Sequence, residues 1–117
     1  NMYLDQHQEI AAVTDFETVI RLDKHDPRGY IGLGQARYRL GQYSKAIKAF
    51  KDARSLDKTN PVVHRGLMHS YLKAGKIKDV VKAYKRFTDD VDPKEVARFN
   101  NDSANEAILR LVKSQER

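Results

Sequence analysis

The chain has 117 residues, enough for one small domain with a modest core. Hydrophobic residues make up 40% and charged residues 32%, the balance of a folded globular chain rather than a disordered one. The absence of cysteine excludes disulfides, thiolate metal sites and a cysteine nucleophile, and no apolar run reaches the roughly 18 residues of a membrane-spanning helix.

No basic-then-apolar leader opens the chain, so no signal peptide is expected. With no cysteine this fits a reducing compartment. The location stays open, with the cytoplasm favoured. The net charge of +6 is unevenly distributed. Residues 1–27 carry two Lys/Arg against six Asp/Glu (−4), residues 28–87 fifteen against three (+12), and residues 88–117 five against seven (−2). Charge segregated in this way favours an anionic partner, although lysines on outward faces also serve solubility.

In chain order, Asn1 to about Gln6 reads as the remnant of a helix, with Tyr3 and Leu4 as packing candidates. Glu9–Asp23 reads as a second helix with Ala12, Val13, Phe16, Val19 and Leu22 as its stripe. Pro27 suits the first turn of a third, with Asp26 as its N-cap. Ile31, Leu33, Ala36 and Leu40 recur there at helical spacing, and Gly41 stops it. A partner helix follows with Ala46, Ile47, Phe50, Ala53 and Leu56 on one face and Lys45, Lys48, Lys51 and Arg54 opposite. The plan repeats from Val62 to Ala74, through a turn at Gly75, and from Ile77 to about Asp89. Connections this short make the paired helices antiparallel neighbours. Asp92-Pro93-Lys94-Glu95 and Ser103-Ala104-Asn105-Glu106 then look like two helix starts of the capping-box type. Ala107, Ile108, Leu111 and Val112 form the stripe of the last helix, which either covers the end of the stack or begins another repeat.

The repetition is metrical. Pro27 and Pro61 lie 34 residues apart, as do Gly41 and Gly75, Leu33 and Leu67, Ile47 and Val81, and Phe50 and Tyr84. The same step backwards turns Ala46, Phe50 and Leu56 into Ala12, Phe16 and Leu22. A period of this size predicts an all-α fold, an α-solenoid of antiparallel helix pairs none of which buries its apolar face alone. About two and a half units fit, approximately 1–26, 27–60 and 61–92, with a C-terminal cap of one or two helices over 93–117. They form a single domain.

The middle unit resembles the tetratricopeptide repeat pattern W-x2-L-G-x2-Y…A-x3-F…P. Tyr30 stands for the Trp, Leu33-Gly34 for the Leu-Gly pair, and Ala46 and Phe50 for the second-helix signature. Arg37 stands where a Tyr belongs and Lys58 where the closing Pro belongs. The third unit keeps Leu67, Tyr71, Gly75 and Tyr84 but has His64 at the Trp position, Met68 at the Gly and Val80 at the Ala. Two large residues in place of two small ones predict a wider or rotated crossing of its helices.

The resemblance implies a concave surface, lined by the first helix of each unit, that holds an extended peptide or a partner helix. In this sequence it would carry Arg28, Ile31, Gln35, Tyr38 and Arg39, then Val62, Arg65, His69, Leu72 and Lys73, with Asn1, Leu4 and Asp5 as the remnant of the first unit. Such a lining suits an acidic or mixed apolar peptide, because arginine forks grip carboxylates. The alternative is that Tyr38 and Leu72 pack against neighbouring helices and the arginines are solvated. The Lys and Asn of the family's carboxylate clamp are missing: Ile31, Gln35, Arg65 and His69 hold the corresponding places.

No cofactor, metal site or active site is expected. His64 and His69 diverge by about 140° around their helix, and Gly32-Leu33-Gly34 has no preceding strand to make a dinucleotide loop. Two alternatives stand beside the peptide-binding module. Nucleic acid could lie on an outer ridge of Lys45, Lys48, Lys51, Lys78, Lys82 and Lys85. Self-assembly, as a homo-oligomer or within a longer repeat array, would use an N-terminal stack end exposing Tyr3, Val13 and Phe16.

Overall fold

The structure is a computed structural model that describes the backbone of residues 2–115 and the side chains of residues 6–115. It is all-helical. The elements are α1 (Met2–Leu22), α2 (Pro27–Arg39), α3 (Tyr43–Leu56), α4 (Pro61–Lys73), α5 (Ile77–Asp90), α6 (Pro93–Asn101), a 3-10 turn (Ser103–Asn105) and α7 (Glu106–Gln115). Successive helices through α5 pack as antiparallel neighbours in a solenoid.

The helix starts follow one recipe. Asp26, Asn60 and Asp92 each precede a proline at the first helical position. Their side-chain oxygens accept from Arg28 N (3.0 Å), Val62 N (2.9 Å) and Lys94 N (2.8 Å), satisfying amides the helix leaves unpaired. The two intra-unit turns are equally alike. Gly41 and Gly75 adopt φ of 78° and 76°, the left-handed region that side chains disfavour. Gly41 N and Gln42 N donate to Tyr38 O and Arg37 O, and Gly75 N and Lys76 N to Leu72 O and Tyr71 O, closing each helix end.

Two expectations need correction. The N-terminal segment is one continuous helix, α1, rather than a remnant followed by a second helix. Residues 5–9 (Asp-Gln-His-Gln-Glu) contain neither Gly nor Pro, so nothing there ends it. The packing expected of Asn1, Tyr3, Leu4 and Asp5 lies outside the described residues. At the other end, Asp102 rather than Ser103 caps the final segment, accepting from Ala104 N at 3.0 Å, and a 3-10 turn intervenes before α7.

Phe50, Val63, Leu67, Met68, Val80 and Phe87 fill the core between α3, α4 and α5, and Phe99, Ile108 and Val112 extend it into α6 and α7. The joints between units also repeat. The ring of Phe16 lies on Gly32, where a Cβ would come within 2.2 Å of it. Phe50, 34 residues on, lies on Gly66 in the same way, at 2.5 Å, and also backs Gly34. One period later Tyr84 meets Asn100, its hydroxyl donating to Oδ1 at 2.9 Å. Fewer close backbone approaches join α4 to α5 than join α2 to α3. At the N-terminal end Val13 is buried, contrary to expectation, and Phe16 is half-buried. Among the described residues, the large exposed apolar side chains of α1 are Ile10, Val19 and Leu22.

Candidate functional site

The first helices α2 and α4 enclose a concavity of about 280 Å³. Gln35, Tyr38 and Arg39 line it from α2, and Val62, Arg65 and His69 from α4, with Phe50 and Gly66 behind them. Helical periodicity brings these side chains to one face: Tyr38 and Arg39 lie three and four residues after Gln35, and Arg65 and His69 three and seven after Val62. Without a Cβ at Gly66, the Phe50 ring packs directly on the α4 backbone.

The other four expected residues stand outside this concavity. Arg28 is exposed at the start of α2, with its guanidinium forked onto Asp26 at 2.6–3.1 Å. Hydrogen bonds from the Arg28 side chain and amide hold the Asp26 carboxyl down at about 2. Ile31 and Leu72 are half-buried against the core, and Lys73 is exposed in the last turn of α4. Phe50 and Gly66 are absent from the sequence-derived set because the family register counts only outward positions of the first helices. Gly66 could have been found from Gly32, one period earlier.

The two groove arginines differ electrostatically. Arg39 Nη1 lies 3.7 Å from Glu9 Oε2 of α1, whereas Arg65 has no ion pair among the described residues. Tyr38 is held edge-on by Tyr43, with ring centroids 5.4 Å apart. His69 is fixed from the far side of the stack: its Nε2–H donates to Asn105 Oδ1 at 2.7 Å, while Asn105 Nδ2 donates to the Phe99 carbonyl at 3.0 Å. The C-terminal segment thus braces one wall of the groove. The concavity joins cationic forks, a tyrosine and an apolar back, a combination that can take carboxylates beside apolar side chains.

Outside the groove, Lys45, Lys48, Lys51, Lys78, Lys82 and Lys85 are all exposed on α3 and α5, with Lys48 paired to Asp52 at 3.1 Å. His64 is buried and its Nε2–H donates to the Lys58 carbonyl at 2.7 Å. Among the described residues no group of His, Asp and Glu side chains could hold a metal ion, and no helix is long and apolar enough to cross a membrane.

Comparison with known proteins agrees with this fold. A search of curated proteins gives no match to the sequence. Among solved structures, PcrH in complex with the chaperone binding region of PopD superposes with a TM-score of 0.67 at 20% identity, covering 93% of this chain and 76% of that one. The Yersinia enterocolitica type III secretion chaperone SycD in complex with a peptide of the translocator YopD gives 0.71 at 19% identity, over 92% of this chain and 79% of that one. SycD in an alternative dimer gives 0.70 at 19% identity, with the same coverage. At these identities the likeness is one of fold. The tetratricopeptide repeat family model matches residues 27–60, the unit whose Tyr30, Leu33, Gly34, Ala46 and Phe50 carry the signature. The unit at residues 27–60 is a tetratricopeptide repeat, and the units on either side of it share its helix-pair architecture.

Proposed function

We propose that the chain is a non-enzymatic protein-binding module that takes an acidic, apolar-anchored segment of another protein into the α2–α4 groove. The observation that carries this reading is the convergence of Arg39, Arg65, Tyr38 and Val62 on one concavity, with Arg65 unpaired among the described residues. The chaperone binding region of PopD in the PcrH structure and the peptide of the translocator YopD in the SycD structure support it by likeness of fold. Arg65 and Arg39 grip carboxylates, while Tyr38, Val62 and the back of the groove receive apolar side chains. Selection from a displayed peptide library tests this. Enriched peptides combine carboxylates with apolar residues, and Arg39→Glu/Arg65→Glu weakens them by about tenfold or more, an effect that falls with added salt. Affinity unchanged in that variant overturns the proposal.

A second reading, self-association through α1, rests on the exposure of Ile10 (54%), Val19 (40%) and Leu22 (82%). Light scattering tests it: a dimer that Val19→Glu/Leu22→Glu dissociates supports it, and a monomer at high concentration removes it.

A further inference from the structure

The peptide groove leaves the basic second helices without a role. Between α3 and α5, with Tyr71 of α4 at the back, lies a second cleft of about 540 Å³. Lys51 and Arg54 enter it from α3, and Lys82, Lys85 and Arg86 from α5. None of the five makes an ion pair among the described residues. Asp79 and Asp89 also line it and Asp90 lies within electrostatic reach of Arg54, so five cations against three carboxylates leave a local charge of +2. Lys51 Nζ lies 6.0 Å from the centroid of the Tyr71 ring, leaning over the back of the cleft. Arg54 is half-buried, and burial together with the like charge of Arg86 pulls its pKa below the usual value. A partly desolvated guanidinium facing a second cation, with no carboxylate bonded to either, is an unmatched charge arrangement that a bound anion would relieve.

The layout limits what that anion is. Asp79 and Asp89 stand ten residues apart on α5, about 15 Å along its axis, and repel a phosphate chain running on past them. Lys48, farther out on α3, is already engaged by Asp52. The unpaired cations that line the cleft are therefore confined to a short stretch. Two guanidiniums and three ammonium groups also offer more donors than the two oxygens of one carboxylate accept, whereas a phosphoryl group has three strong acceptors and up to two charges. We propose that the α3–α5 cleft binds a compact free polyphosphate, with Arg54 and Arg86 forking its oxygens and Lys51, Lys82 and Lys85 neutralising the rest. This site is independent of the peptide groove.

Titration calorimetry of the whole chain with inorganic triphosphate at physiological salt tests the proposal. The expected result is saturable one-to-one binding that Arg54→Gln/Arg86→Gln weakens by about tenfold or more. Lys45→Gln/Lys78→Gln, outside the cleft, leaves it unchanged. Should circular dichroism show the arginine variant unfolded, Lys82→Gln/Lys85→Gln, at two exposed positions, carries the same expectation. Absence of saturable binding overturns the proposal, as does equal weakening in the Lys45/Lys78 variant. Binding of a short single-stranded oligonucleotide that exceeds triphosphate binding and depends equally on Lys45 and Lys78 also overturns it, assigning the cleft to a nucleic-acid ridge instead.

Discussion

Phe16 and Phe50 occupy the same place in successive units, and each lays its ring on a glycine of a following first helix. Phe50 is nonetheless 2% exposed while Phe16 is only half-buried. The difference lies in the neighbours. Phe50 is enclosed by α2 and α4, whereas Phe16 has no described helix on its outer side. Identical local chemistry therefore yields unequal stabilisation, because a repeat unit draws its core from the units beside it.

Truncating the two rings gives the largest effect. Phe50→Ala is expected to cost about 3–5 kcal/mol in urea denaturation, and Phe16→Ala about half of that or less; equal losses would break the comparison. Adding a methyl at the two glycines sharpens it further. A Cβ at Gly32 comes nearer its ring, 2.2 Å against 2.5 Å at Gly66, yet the Phe16 ring can move outward and the Phe50 ring cannot. Gly66→Ala is expected to destabilise by about 1–3 kcal/mol through overpacking. In Gly32→Ala the helix-propensity gain of about 1 kcal/mol offsets most of the strain. A larger loss for Gly32→Ala would mean that Phe16 is held as firmly as Phe50.

The third joint exchanges ring-on-glycine contact for a hydrogen bond. Tyr84→Phe deletes the hydroxyl that reaches Asn100, and about 0.5–1 kcal/mol is expected for so exposed a bond. The smallest effect separates the caps Asp26 and Asn60, again one period apart. Asp26 titrates at about 2 when folded against an ordinary value of 3.8. Its contribution is thus fully present above 3.8 and disappears as pH falls towards 2. Asp26→Asn is expected to remove that part of the acid-unfolding curve, whereas Asn60→Asp, with no arginine fork and with the Asp57 carboxylate beside it, is expected not to reproduce it.

The period made most of the fold legible, since helix starts, glycine turns and apolar stripes all carry local signals. Two departures from the family pattern, His64 for Trp and Lys58 for Pro, look unrelated in sequence. In space they form one hydrogen bond, from the imidazole to the Lys58 carbonyl. Six groove residues come together as the register implies. Arg28 does not, because a carboxylate two residues away captures it first, and Ile31 and Leu72 are drawn towards the core. The brace from Asn105 to His69 spans 36 residues and has no sequence signature. The continuous α1 departs from the helix pair expected there because its segment does not follow the template of the two repeats after it.

Gly41 and Gly75 share one backbone geometry, φ 78° and 76°, and one pattern of closing hydrogen bonds. The stretch from residue 42 to residue 75 is therefore a cassette with matching ends. Its duplication would keep the turn geometry at the splice, would set the second copy of Phe50 against Met68 in place of Gly34, and would lengthen the concave face by another first helix. In a protein built this way, a longer concave face can be acquired by recombination with no turn to reinvent.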